Sequence, residues 1–515
     1  MLVKRAANLF QSVILYFRNN PESSIYLILI ISIFLRLSRL NESLWLDELS
    51  STYWRLKSIG STFNFIGYDL HPPLYRFAMF CWINLFGDSE ISVRIPPLIF
   101  GILSIYLTYQ LVLEFIDKKT ALLTAFLLCV SPVHIWYSQE AKQYSAILFF
   151  ILLVIFAYYK LLKNQSKIIW YFVYFFSLSA AVFSHYCTIF YLFLISLLTL
   201  FNMNKVKRNV LLLNVIIFIC FSIFIIWRIQ YGGMPIFGGY LRSLNPFELW
   251  MLFFNWLLLG NLADLTYAGR PATLLKHPFL LCIQLFFFII FCRGLISNLR
   301  ESKKPYGIYT LFWLFLLPLC FLILSFAGAK HIYIERGVYI ILPFFLMIIA
   351  KGITGIKTKI WRVTITVSVI IFYAVVLMQF FNMSERWTVY KPKPDWKATV
   401  QYFVNEQKNT GAPLFIFTTF PYDELEYYAS RFRDPLNNKK SSVSLQVING
   451  KSAKNIYNVI TAKKIKTFYF LKNVFWPREF NDYLGILKYY PLIKTVEIKS
   501  LKGIMVFKLH LTENQ

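Results

Sequence analysis

Acidic residues are scarce in this sequence: 25 Asp and Glu stand against 53 Lys and Arg, a formal net charge of +28. Charged residues of both signs make up only 15% of the 515, where a soluble domain carries about 25%. With 57% hydrophobic residues and a mean hydropathy of +0.55, that shortage excludes an ordinary soluble protein. There is no CxxC. Cys81, Cys129, Cys187, Cys220, Cys282, Cys292 and Cys320 are scattered, mostly inside apolar runs, which excludes a zinc or disulfide framework. There is no internal repeat, no low-complexity tract and no small-residue cleavage site after the first apolar run, so the first span is expected to be retained. The basic excess sits in short clusters at the ends of apolar runs, as cytoplasmic loops require, so no nucleic-acid partner is expected.

What the sequence does have is repeated apolar runs of about 20 residues, the pattern of a polytopic α-helical membrane protein. A basic lead at 1–22 precedes a first span near 24–38. Ten more spans follow near 91–113, 120–137, 145–162, 168–184, 187–202, 210–229, 278–296, 306–326, 338–352 and 363–382. Every loop then expected inside carries at least two Lys or Arg. That fixes the expectation: 11 spans in the inner (plasma) membrane, N-terminus cytoplasmic, C-terminus outside. Two apolar segments are too short to cross: 74–86, expected along the interface, and 246–260, expected as a re-entrant or interfacial hairpin. The membrane part runs over 1–383 and includes a first outer loop at 39–90. After it, 384–515 alternates helical and strand patterns and reads as a small extracytoplasmic α/β domain without a Gly-rich phosphate fingerprint.

The ionisable residues away from the basic ends fall in the expected outer loops. The first holds Asp47 and Glu48, then Asp69 and His71 before Pro72 and Pro73. Adjacent residues on a helix point about 100° apart, so Asp47 and Glu48 do not both face one substrate. One is expected to act as general base or metal ligand and the other to anchor the loop. Asp69 reads as a second acid or as a cap before the prolines. His71, held extended by the proline after it, binds a phosphate or metal or packs at the interface. Lys142 and Arg336 lie where no cytoplasmic loop explains them. A lipid phosphate suits both; so would snorkelling for Lys142 and an ion pair with Glu335 or Glu140 for Arg336. His185 stands at a helix end, and Tyr137, Tyr144 and Tyr186 suit an aromatic belt.

The set WLDE (45–48), DLHPPLY (69–75), SQEAKQYS (138–145), SHY (184–186) and ERGVYIILP (335–343) resembles bacterial GT-C glycosyltransferases. The nearest groups are protein O-mannosyltransferase-like and aminoarabinose-transferase-like membrane proteins. The resemblance covers about 20–383. It implies inverting transfer of a hexosyl or pentosyl group from a polyprenyl-phosphate donor (undecaprenyl phosphate in a bacterium) to a lipid, glycan or protein acceptor of the envelope. It also implies Asp47 as the catalytic carboxylate, with Glu48 and Asp69 as further acids, and His71, Lys142 and Arg336 on the donor phosphate. Glu140, Tyr144, His185, Tyr186 and Glu335 are then expected around the substrate. Metal use varies in this fold, leaving room for Mg or Mn on Asp47 and Asp69. Two departures stand out. Arg336 is followed by Gly337, with the tyrosine further on at Tyr339, and Leu70-His71 replaces the acid–Lys pair of aminoarabinose transferases, which argues against that specificity. The competing readings are a lipid-linked sugar flippase and an envelope scaffold.

Overall fold

Proline decides where the apolar runs bend. The computed structural model describes residues 23–52, 71–163, 167–200, 205–232, 243–260, 278–301, 306–328, 335–382, 393–411, 414–418, 423–431, 445–449, 458–460, 462–473 and 493–511. The basic lead at 1–22 and Asp69 lie outside them. The chain divides into two units, Met1–Leu40 with Arg55–Tyr390 and Asn41–Trp54 with Lys391–Gln515.

In the first unit, the helices in chain order are α1 (Ser24–Leu37), α3 (Leu74–Phe86), α4 (Glu90–Phe115), α5 (Lys118–Val130), α6 (Pro132–Ser138), α7 (Tyr144–Leu162) and α8 (Ile168–Val182). After a 3-10 turn at Tyr186–Thr188 come α9 (Ile189–Leu200), α10 (Lys205–Gly232), α11 (Pro246–Met251), α12 (Pro278–Glu301) and α13 (Tyr306–Phe326). A second 3-10 turn, Glu335–Ile341, opens into α14 (Leu342–Thr354), and α15 (Lys359–Asn382) ends the unit. Helix α2 belongs to the second unit. Among the described residues, seven helices are long and apolar enough to cross a membrane, or eight if α5 and α6 form one span.

The run expected to span near 120–137 is bent: α5 and α6 meet at 62°. Pro132 has no N–H for the carbonyl four residues back and ends α5. Ser131 then caps α6 by accepting the His134 N–H. The carbonyls left open by the break are taken up by Arg36 of α1, which is fully buried. Its Nη1 donates to Cys129 O at 3.1 Å and Ser32 O at 3.2 Å, its Nη2 to Leu128 O at 3.4 Å and to His134 Nδ1 at 2.6 Å, and its Nε to Ser138 Oγ at 3.2 Å. Since Ser104 Oγ donates to Gly101 O, it accepts from His134 Nε2 at 2.9 Å, so His134 is the Nε2–H tautomer. His134 is therefore buried structure. Pro96 in α4 likewise frees Ser92 O, and Trp82 Nε1–H of α3 fills it at 2.9 Å.

Helix α14 is buried all round and forms the centre of the unit. It meets α12 backbone to backbone: a Cβ on Gly352 would overlap Ile290 O, and one on Gly294 would overlap Ile348 O. Gly352→Ala should therefore cost about 1–3 kcal/mol through overpacking, read as a lower thermal midpoint in detergent. The basic helix ends gather at one end of the unit. Lys351 pairs with Asp117 at 3.6 Å, Lys160 and Lys163 pair with Glu114 at 3.0 and 3.3 Å, and Arg293 donates to Gly355 O. The 246–260 segment is not a hairpin where described. A capping box of Asn245 and Glu248 starts α11, which continues into a π-helical turn over Leu252–Leu257.

The second unit contains α2 (Leu46–Thr52), α16 (Trp396–Thr410), β1 (Leu414–Thr418), α17 (Asp423–Arg431), β2 (Leu445–Asn449), β3 (Thr467–Asn473), β4 (Ile493–Leu501) and β5 (Ile504–Leu511). The sheet order is β2-β1-β3-β5-β4, with β1 parallel to β2 and β3 and the β3–β5–β4 pairs antiparallel. Phe417, Phe468, Phe470, Phe507 and Leu509, with Ile460 and Ile465, bury its core. Asp395 caps α16 by accepting the Ala398 N–H, and Gly411, at φ +65°, stops the helix in the left-handed conformation that Gly takes without strain. The 41–52 stretch, expected from the sequence in a membrane-domain loop, packs in this unit: Leu44 and Leu49 are buried, and the Tyr428 hydroxyl accepts the Leu44 N–H at 2.7 Å.

Candidate functional site

The two neighbouring acids separate by burial. Glu48 is fully buried; its Oε1 lies 3.0 Å from Lys393 Nζ, and its Oε2 accepts the Trp45 N–H at 3.4 Å. Asp47, one position earlier in the first turn of α2, keeps part of its surface exposed, and its backbone carbonyl accepts the Ser50 and Ser51 hydroxyls. The sequence left open which acid anchors the segment. Glu48 does, leaving Asp47 as the accessible carboxylate. Asp69 lies outside the described residues. Among those described, no three His, Cys, Asp or Glu side chains come together as a metal ion needs. The pair expected to hold Mg or Mn is Asp47 with Asp69, and Asp69 is not among the residues described.

In the first unit, four separated stretches converge. Pro73 starts α3, and the Leu74 N–H donates to Phe183 O at 2.9 Å, splicing the start of α3 to the end of α8. That bond sets His71 beside His185, their ring centroids 5.1 Å apart and the planes 30° from parallel. His185 caps the 3-10 turn by accepting the Cys187 N–H on Nδ1 at 3.2 Å, so the neutral ring carries its proton on Nε2. Lys142, only 5% exposed, stands in the short connection that the α5–α6 break opens before α7. Arg336 is the second residue of the 3-10 turn before α14.

These four residues act on one another. Burial, then the nearby His185, Lys142 and Arg336, hold His71 well below its usual value. Burial and the Arg336 charge lower His185 to about 4. Both imidazoles are then neutral at pH 7, and the positive charge of the group is that of Lys142 and Arg336. Two cations with two neutral imidazoles form a partly buried basic centre suited to an oxyanion.

The remaining expected residues divide. The Tyr144 ring lies 6.1 Å from His185 and 4.7 Å from Tyr137, which lies 4.7 Å from Tyr339. Tyr137 and Tyr144 are buried and so do not belong to the expected aromatic belt, because the α5–α6 break turns that stretch inward. Glu140 is 2% exposed. Glu335 is half-buried beside Arg336 in the same turn. Tyr186 is half-buried, with its ring edge-on to Phe221. Sequence reasoning missed Arg36 and the fully buried Arg94, whose Nη1 donates to Leu40 O at 2.8 Å. Their one signal is a charge inside an apolar run, and nothing in the order of residues names the carbonyls they serve.

The fold is that of the GT-C glycosyltransferases, a class of membrane enzymes. Superposition on ArnT from Cupriavidus metallidurans gives a TM-score of 0.54 at 11% identity, over 95% of this chain and 98% of that one. The same protein bound to undecaprenyl phosphate gives 0.53 at 12%, over 94% and 97%. An Archaeoglobus fulgidus oligosaccharyltransferase, in a complex with Zn and sulfate, gives 0.51 at 12%, over 95% and 73%. By sequence, residues 70–227 match the family model described as dolichyl-phosphate-mannose-protein mannosyltransferase. Among curated proteins, no sequence matches.

Proposed function

We propose that the protein transfers a sugar from a polyprenyl-phosphate donor to an envelope acceptor outside the cytoplasmic membrane. The observation that carries the reading is the convergence of His71, Lys142, His185 and Arg336 in one basic group, with Lys142 and His185 buried and His71 and Arg336 half-buried. A phosphate leaving from an anomeric carbon gains negative charge as the bond breaks, and fixed cations stabilise that change far more than water does. Asp47 is the general base. It takes the proton of the acceptor nucleophile, the nucleophile bonds to the anomeric carbon from the opposite face, and the C–O electrons leave with the lipid phosphate, inverting the centre. Tyr144 borders the phosphate group; Glu140, Tyr186 and Glu335 are retained as residues toward the sugar or acceptor. The undecaprenyl phosphate bound to a protein of this fold supports that carrier.

The same reading gives the topology. Seven long helices, the bent α5–α6 pair and the three shorter apolar helices α1, α8 and Tyr186–Leu200 make 11 spans, with α3 along the interface. The basic helix ends face the cytoplasm, and an odd number of spans from a cytoplasmic N-terminus leaves the C-terminal segment extracytoplasmic.

The test uses proteoliposomes loaded with radiolabelled polyprenyl-phosphate sugars and an envelope extract as acceptor. Label should leave the lipid. Lys142→Met should weaken donor binding about 10- to 100-fold, the loss of one charged hydrogen bond. With both histidines neutral, donor affinity should stay flat between about pH 6 and 8, then rise on acidification as protonation adds positive charge beside the phosphate. Labelled lipid that changes leaflet while keeping its sugar would instead mean transport.

A further inference from the structure

The α/β unit does more for α2 than cover it. Each residue from 41 to 44, ahead of the helix, is tied to that unit. The Lys397 ammonium donates to Asn41 O and Oδ1, both at 3.1 Å, and Lys502 Nζ meets Glu42 Oε1 at 2.8 Å. The Ser43 hydroxyl donates to Asp395 Oδ1 at 3.3 Å and accepts the Lys397 N–H, and the Leu44 N–H donates to Tyr428 OH at 2.7 Å. Asp395 is the cap of α16 and its own N–H donates to Lys502 O, so these ties share one rigid corner of the fold. Inside the helix, Glu48 and Lys393 form a buried ion pair, Glu48 fully covered and Lys393 7% exposed. A charge this deep is tolerated only with its partner in place, so Lys393 fixes the rotation of α2 about its axis. That rotation sets where the neighbouring carboxylate, Asp47, points.

We infer that the α/β unit is the mount of the helix carrying the base, and that Lys393 is a positioning residue acting on Asp47 through Glu48. This inference rests on the reading of Asp47 as the base. It gives the C-terminal unit a role in the chemical step, separate from acceptor capture. A side chain displaced by about 1 Å can lose about 100-fold in rate while substrate binding is untouched, so the signature is a fall in kcat with donor KM unchanged.

The experiment compares the full-length wild type with Lys393→Met, Lys393→Arg, Tyr428→Phe and Asp47→Asn, in reconstituted membranes with the labelled donor. Kinetics are measured beside hydrogen–deuterium exchange of the 44–52 amides. Lys393→Met should lower kcat about 10- to 100-fold at constant donor KM and speed exchange across 44–52. Lys393→Arg, which keeps the charge, should recover most of the rate. Tyr428→Phe removes one hydrogen bond and no charge; it should move kcat and exchange in the same direction by less, and it keeps the test alive if Lys393→Met does not fold. Exchange and kcat unchanged in Lys393→Met, or in Tyr428→Phe where only that variant folds, would overturn the positioning role and leave the base assignment intact. Faster exchange with Asp47→Asn as active as wild type would sink the base assignment and the positioning role together.

Discussion

Asp47→Asn should lower the rate of sugar transfer by about 10²- to 10⁴-fold, the range a positioned general base supplies. The change is nearly isosteric and removes the basic oxygen while leaving the backbone of α2 untouched. The Asp47 carbonyl, not its carboxylate, accepts the Ser50 and Ser51 hydroxyls, so those bonds survive the substitution. Donor binding should therefore hold, and the loss should fall on kcat. Glu48→Gln is the control that separates the two acids. It strips the charge that answers Lys393 in a closed site, so it should lower the thermal midpoint, whereas Asp47→Asn should leave the midpoint near wild type. The check is single-turnover loss of label from the lipid, with unfolding followed in the same detergent. Equal transfer by wild type and Asp47→Asn would make Asp47 structural and turn attention to Asp69.

The second large effect is on folding. Arg36→Met should cost about 3–5 kcal/mol. All five guanidinium N–H groups are used, on Ser32 O, Leu128 O, Cys129 O, Ser138 Oγ and His134 Nδ1. Methionine fills much of the volume and removes a buried charge, which recovers some solvation energy. It supplies no donor, however, and leaves the carbonyls freed by Pro132 without one, at about 1–3 kcal/mol for each buried group. The orphaned acceptors outweigh the relief. Arg36→Lys keeps the charge but not the planar fork and should restore less than half of the loss. Thermal midpoints of the two variants in detergent, with the yield of folded protein, decide it. A midpoint for Arg36→Met within a degree or two of wild type would mean the break is held by packing alone.

How much was legible beforehand follows from the range over which each signal acts. Helix α3 was bounded correctly at 74–86 because Pro72, Pro73 and Gly87 mark its ends within the segment itself. The last strands are legible near 467–471, 493–498 and 504–510 as runs of β-branched and aromatic residues, and the structure extends them to Thr467–Asn473, Ile493–Leu501 and Ile504–Leu511. The 62° bend at Pro132 was missed, although Pro132 was in plain view, because hydropathy averages over a window and does not register a lost backbone donor. For the site, the residue types and their outer-loop setting were readable, and so was the expectation that only one of Asp47 and Glu48 is available. Residue type alone did not separate them and the resemblance alone pointed to Asp47, because the ion pair that anchors Glu48 depends on Lys393, 345 residues further on.

By itself the sequence determined the membrane class, most of the helical segments and the short set of residues able to do chemistry. Those follow from local hydropathy, periodicity and charge, which need no partner. The tertiary structure alone decided that His71, Lys142, His185 and Arg336 form one basic group, that Arg36 repairs a broken helix, and that the 41–52 stretch packs with the C-terminal unit. Each of those depends on a hydrogen bond or ion pair between stretches far apart in the chain, and linear order carries no record of which donor meets which acceptor.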